Sequence, residues 1–165
     1  MNAPGENTLE VVVGRLLGQR GMTLAVAESC TGGLIGHRIT NVPGSSAYYK
    51  GSITAYSYDV KELVLHVQHN TLCRYGAVSE QTAREMACGV RRAFRVDIGL
   101  SVTGIAGPGG GMPGKPVGLV YIAVATADDA WVERHLWDGD RQENKEYSAE
   151  AALGLLHRYL EGRLS

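Results

Sequence analysis

The chain has 165 residues, a formal net charge of −1, 44% hydrophobic residues and 20% charged ones. These values fit one globular domain over 1–165 and exclude a disordered chain or a general attraction to nucleic acid or anionic membrane. No apolar run is long enough to span a bilayer and no leader pattern opens the sequence, so a cytoplasmic location is expected.

Cys30, Cys73 and Cys88 are odd in number and lack C-x-x-C spacing, which points away from a disulfide framework or a structural zinc site. Asn7 or Thr8 is placed to cap a first helix running to about Gln19, with Gly21 as its stop. The apolar run 23–27 reads as a buried strand and residues 31–40 as a helix. A turn over 43–46 leads to a strand over 51–57, and Asp59 then reads as the cap of a short helix through Lys61, Leu63 and Leu65. A helical turn over 70–75 ends at Gly76. Ser79 opens a long helix to about Phe94, with Ala83, Met86, Ala87 and Val90 as its inward stripe.

Residues 97–103 form a strand, followed by a glycine-rich segment over 104–114. Two neighbouring antiparallel strands over 117–126 and 131–137 come next, then a final helix over about 142–160. Helices and strands alternate at first and then two strands are adjacent. The pattern predicts an α/β fold with layers around a mixed sheet.

The stretch Ala27-Glu28-Ser29-Cys30-Thr31-Gly32-Gly33 carries the strongest chemical signal. It sets a hydroxyl and a thiol side by side at a strand-to-helix turn, where unpaired backbone N–H groups favour negative charge. A nucleophile there has an oxyanion hole beside it. A capping serine needs no paired glycines, whereas Gly32 and Gly33 let a ligand approach the backbone closely. The residue types alone leave Ser29 and Cys30 as rival nucleophiles.

The five histidines lie in no recognisable triad context, and His66-x-x-His69 reads as a surface pair rather than a metal site. Lys61 falls in the first turn of a helix just after Tyr56, at the positive end of the helix dipole. To serve as a base it needs burial that lowers its pKa by about 2–3 pH units.

The segment after the 97–103 strand contains two decoys. Gly109-x-Gly111-x-x-Gly114 matches a dinucleotide fingerprint by letter, and Gly109-x₄-Gly114-Lys115 begins like a phosphate-binding P-loop. Both require a helix next, whereas Pro116 and a β-rich run come after Lys115. The surviving feature is a glycine loop able to turn backbone N–H groups toward an anion. Arg141, just before the last helix, is placed to clamp a phosphate.

Ala27–Gly33, Gly44-Ser45-Ser46, Tyr56-Ser57 with Lys61, Gly76-Ala77-Val78-Ser79, Thr103–Gly111, Lys115-Pro116-Val117-Gly118 and Gly139-Asp140-Arg141 occur in this order along nearly the whole chain. In these stretches the chain resembles the CinA carboxy-terminal domain family, whose stand-alone members are nicotinamide mononucleotide deamidases. The resemblance implies a three-layer α/β/α sandwich with a mixed, mostly parallel sheet of about five or six strands. It also implies hydrolysis of the carboxamide of nicotinamide mononucleotide to nicotinate mononucleotide and ammonia, with neither metal nor other cofactor, by a homodimer.

Carried over by motif, Ser29 is the nucleophile, Lys61 the base and Tyr56 its assistant. Cys30 and Thr31 contribute backbone N–H groups. Gly32, Gly33, Ser46, Thr103, Gly104, Ile105, Ala106, Gly107 and Arg141 bind substrate. The chain departs from the family pattern at Tyr58-Asp59-Val60, often Asn-Glu-Ala, and at Lys145, where arginine is frequent. Larger relatives carry an amino-terminal domain that residues 1–6 leave no room for. Two rival readings are a non-catalytic nucleotide-binding module of the same fold and a DNA-linked competence factor, the latter weakened by the near-neutral charge.

Overall fold

A computed structural model describes residues 5–164, so the reading of the extreme amino terminus falls largely outside it. The elements are α1 (Leu9–Arg20), β1 (Leu24–Glu28), α2 (Leu34–Thr40), a 3₁₀ turn (Ser45–Ala47), β2 (Tyr49–Thr54), α3 (Tyr58–Leu65), α4 (His69–Tyr75), α5 (Glu80–Phe94), β3 (Ile98–Gly104), β4 (Leu119–Ala125), β5 (Ala130–Leu136) and α6 (Arg141–Leu160). The five strands form one mixed sheet in the order β2-β1-β3-β4-β5. β2, β1 and β3 pair in parallel, and β4 is antiparallel to both of its neighbours. β5 therefore runs with the first three, so four strands share one direction.

Strand alternation sorts the core into two layers. Leu24 and Val26 of β1, with Leu100 and Val102 of β3, face one side and pack with Val13, Leu17, Ile35, Leu153 and Leu156 of α1, α2 and α6. Ala25 and Ala27 face the other side, toward Leu65, Met86 and Val90 of α3 and α5. The small residues on this second face let α5 lie close. A Cβ on Gly99 would sit 2.0 Å from the Ala87 carbonyl oxygen, so β3 needs glycine where the helix crosses it. The result is the expected three-layer α/β/α arrangement.

Local chemistry fixes most boundaries. Gly21 ends α1 in the left-handed region, Ser79 caps α5 by accepting the Thr82 N–H, and Asp140 with Glu143 forms a capping box on α6. Three expectations shift, the first being that β2 spans Tyr49–Thr54 rather than 51–57. Ser57, rather than Asp59, caps α3, its hydroxyl accepting the Val60 N–H at 3.3 Å, which leaves Asp59 in the first turn. α2 begins at Leu34 rather than near Thr31, because Gly32 and Gly33 take positive φ of 61° and 100° and turn the chain first.

Candidate active site

Three parallel strands deliver their carboxyl ends to one edge of the sheet. β1 sends its connection over one face through α2, and β2 sends its own over the other face through α3, α4 and α5. That divergence opens a crevice at the strand ends, the place where such sheets bind ligands. Ser29 comes after β1, Ala55 after β2, and Gly104 closes β3. Between them lies a cavity of about 250 Å³, lined by Ser29, Cys30, Tyr56, Lys61 and the loop after β3, with Ala77 and Val78 as an opposite wall.

Lys61 decides the chemistry. Its side chain is 1% exposed, and Nζ stands 3.1 Å from Ser29 Oγ while donating to the Ala55 carbonyl at 2.6 Å. Burial lowers its pKa to about 8, opposed only weakly by Cys30. The cost of the neutral amine at pH 7 drops from about 5 to about 1 kcal/mol. That meets the requirement for a base.

The same burial bears on the rivalry between hydroxyl and thiol. Cys30 is pushed up to about 12, chiefly by desolvation, so its thiolate is not accessible near neutrality. Ser29 has the amine beside it and Cys30 remains a thiol.

The helix-start amides are not free, contrary to expectation. Glu28 is fully buried, and its carboxylate accepts from the N–H groups of Gly33 (3.1 Å), Ile35 (3.2 Å) and Gly36 (2.9 Å). It caps α2 from the preceding strand. Gly32 N–H is spent on the Ser29 carbonyl. Among the described residues, the Cys30 and Thr31 amides take no protein acceptor, which leaves them as the donors beside Ser29.

The loop after β3 is strapped to α6. Asn144 Nδ2 donates to the Ala106 carbonyl at 3.0 Å, and Arg141 Nη1 donates to the Gly107 carbonyl at 2.6 Å. Because a trans peptide sets C=O and N–H on opposite sides, turning the Ala106 carbonyl toward Asn144 sends the Gly107 N–H the other way. Arg141 Nη2 reaches Tyr56 Oη at 3.1 Å and closes the rim. A second recess of about 350 Å³ meets the cavity at Arg141 and is bordered by Leu34 and Lys145.

The structure thus brings together Ser29, Cys30, Tyr56, Lys61, Gly104, Ile105, Ala106, Gly107 and Arg141. Thr31, Gly32 and Gly33 shape the turn without lining the cavity, and the buried Thr31 hydroxyl has no partner among the described residues. Thr103 lies beneath the cavity, its hydroxyl donating to the Ala77 carbonyl at 2.7 Å. Ser46 is apart. It sits exposed in the turn before β2, at the opposite end of the strands. Among the described residues no cluster of His, Cys, Asp or Glu is arranged to hold a metal, and no helix is long and apolar enough to cross a membrane.

The sequence pattern of the CinA C-terminal domain matches residues 6–160. The chain belongs to the CinA C-terminal domain family. A CinA-like protein of Salinibacter ruber is 51% identical over 156 residues, which are 94% of this chain and 38% of that protein. The chain therefore spans well under half the length of such relatives. A competence/damage inducible protein from Agrobacterium tumefaciens shares the fold with a TM-score of 0.87 and 37% identity, over 98% of this chain and 99% of that one. A CinA superfamily protein from Klebsiella pneumoniae gives a TM-score of 0.90 at 32% identity, over 93% and 96% of the two chains.

Proposed function

We propose that this CinA-family domain is an amidase that hydrolyses the carboxamide of nicotinamide mononucleotide to nicotinate mononucleotide and ammonia. The observation that carries the proposal is the buried Lys61 amine 3.1 Å from Ser29 Oγ, in a cavity at the strand ends. A nucleophile within reach of a base of lowered pKa is the signature of acyl transfer.

Neutral Lys61 takes the Ser29 proton as Oγ attacks the carboxamide carbon. The Ala55 carbonyl holds the amine in place by accepting one of its N–H bonds. The amides of Cys30 and Thr31 receive the oxyanion. The lysine then returns the proton to departing ammonia, and water, activated by the same amine, releases the acid from the serine ester. Arg141, Lys145 and the Gly107 amide supply positive potential for the phosphate, Arg141 joining the catalytic cavity to the recess beside Lys145.

Ammonia release from the mononucleotide by the purified protein tests this reading. Wild-type protein should turn over, and Ser29→Ala and Lys61→Ala should each lose at least about a hundredfold in rate. Binding of the mononucleotide without ammonia release by the wild type would replace the amidase with a nucleotide-binding module.

A further inference from the structure

The corner between α3 and α4 carries three chemically active side chains in series. His69 Nδ1 stands 2.9 Å from Glu62 Oε1, and His69 Nε2 stands 3.3 Å from Cys73 Sγ. A carboxylate only accepts, so the ring proton belongs on Nδ1 and Nε2 is left to accept from the thiol. Thiol, imidazole and carboxylate follow one another as nucleophile, base and orienting group. One half of the His66-x-x-His69 pair thus has partners that spacing alone does not suggest.

The fold holds these groups together from outside the set. His69 and Cys73 are four residues apart on α4, one turn along the same helix face. Glu62 comes from the last turn of α3, which ends at His66 with φ 56°, and the Val67 N–H returns to the Lys61 carbonyl at 3.0 Å. Val67 is buried at the bend. Glu85 of α5 then clasps the start of α4, accepting from the Gln68 N–H at 2.7 Å and the Thr71 hydroxyl at 2.6 Å. The direction of α4 is set by Val67 and Glu85, so substitution of Glu62, His69 or Cys73 leaves the corner in place.

We propose that Cys73 is a reactive thiol that exchanges with low-molecular-weight disulfides, with His69 as its base and Glu62 orienting the imidazole. Cys73 is exposed and the His69 side chain is 72% exposed, so the sulfur is open to a reactant from solution. The setting favours a disulfide over an acyl substrate. Attack on an acyl carbon builds an oxyanion that needs donors aimed at it, whereas displacement at sulfur builds none.

As Sγ attacks, its proton passes to His69 Nε2. A bond forms between Sγ and one sulfur of the reactant, the reactant's S–S bond breaks, and the electron pair leaves on the other sulfur. That thiolate takes the proton back from the imidazolium and departs as a thiol. The Cys73 sulfur is oxidised, the departing sulfur is reduced, and a second thiol reverses the exchange. None of the three residues lines the strand-end cavity, so the proposal is independent of the Ser29–Lys61 reading.

Treating the reduced full chain with the neutral hydroxyethyl disulfide at pH 7, followed by intact and peptide mass spectrometry, tests the proposal. Cys73 should form the mixed disulfide ahead of the half-buried Cys88, and dithiothreitol should remove it. His69→Gln should slow its formation about three- to tenfold, and Glu62→Gln by less. The factor is modest because a thiol is already partly ionised near neutrality and reacts slowly without help. Equal rates in wild type and His69→Gln overturn the proposal, as does modification shared evenly between Cys73 and Cys88.

A measurement that needs no substitution reads the nitrogen-15 shifts of the His69 ring at pH 8. A proton on Nδ1 agrees with the series from Glu62 to Cys73. A ring protonated on Nε2 alone has no site to receive the thiol proton and overturns it.

Discussion

Arg141 donates to the Tyr56 hydroxyl at 3.1 Å across 85 positions of sequence, while its other terminal nitrogen holds the Gly107 carbonyl at 2.6 Å. One planar guanidinium thus ties the segment after β2 to the loop after β3 and sets the rim of the cavity. The Tyr56 hydroxyl accepts from Arg141, a bond through which the tyrosine can hold the arginine in place. Lysine has no fork with which to span both partners.

Arg141→Lys should therefore raise KM for the mononucleotide although the charge is retained, and Arg141→Ala should raise it further, by about ten- to a hundredfold. The dephosphorylated riboside separates the two duties of the residue. If Arg141 grips phosphate, Arg141→Ala changes riboside turnover much less than mononucleotide turnover. An equal loss on both substrates would assign the residue to loop positioning alone.

On the proposed mechanism Cys30 stands next to the nucleophile and takes no covalent part. With its thiol pushed up to about 12 by burial, the reactive thiolate is too scarce to attack. Cys30→Ala should keep activity within a few-fold of wild type, since only its amide is used. Thiol alkylation followed by mass spectrometry should label the exposed Cys73 first and leave turnover intact. Inactivation in step with Cys30 labelling would return the thiol to contention.

The buried lysine makes two pH predictions that share a sign and differ in their window. If Lys61 is the base, the reactive form is its neutral amine, about a tenth of the population at pH 7, so the rate should climb with pH and level off above about 8. Stability is tied to pH by linkage. Lys61 has a folded pKa below its ordinary 10.5, so the unfolded chain binds more protons between about 8 and 10.5. Considered alone, this group makes the fold more stable as pH rises through that window. Below about 8 the fold carries the cost of a buried charge, of order 3 kcal/mol. Lys61→Met should abolish ammonia release and raise the melting temperature at pH 7, with the difference from wild type shrinking toward pH 10. A lower melting temperature at pH 7 would mean that the lysine's bonds to Ala55 and Ser29 outweigh its desolvation.

Much of this arrangement is legible in the sequence, and the remainder is hidden for physical reasons. The alternation of helices and strands specifies the layers, and Ser29, Lys61 and Arg141 stand out because hydroxyl, amine and guanidinium are chemically conspicuous beside glycines. Ala77 and Val78 wall the cavity without any polar signature, so their chemistry does not mark them and only the Gly76–Ser79 motif of the resemblance does. The start of α2 reads too early because Ser29 looks like a cap, whereas the actual cap reaches forward from Glu28 on the strand. Ser57 displaces Asp59 as the α3 cap because both are good capping residues two positions apart, and only the backbone direction after β2 chooses between them. Ser46 shares a motif with the site but lies at the far end of the sheet, a distance that order along the chain does not encode.

Glu28 offers the sharpest test of how the nucleophile is held. A fully buried carboxylate that accepts three amide N–H bonds fixes the turn carrying Ser29 and removes those amides from the oxyanion's reach. Glu28→Ala should strand three donors, two of them buried, and cost about 3 kcal/mol, roughly 10 °C in melting temperature for a chain of this size. Glu28→Gln keeps one acceptor oxygen but aims an NH₂ at an N–H donor, so it should be intermediate in stability while still lowering kcat through a displaced Ser29. KM should change little, because Glu28 is absent from the cavity wall. If Glu28→Gln melted like wild type and turned over at the same rate, the cap would be idle. The α2 amides would then be available to the oxyanion, and the assignment of that role to Cys30 and Thr31 would fall.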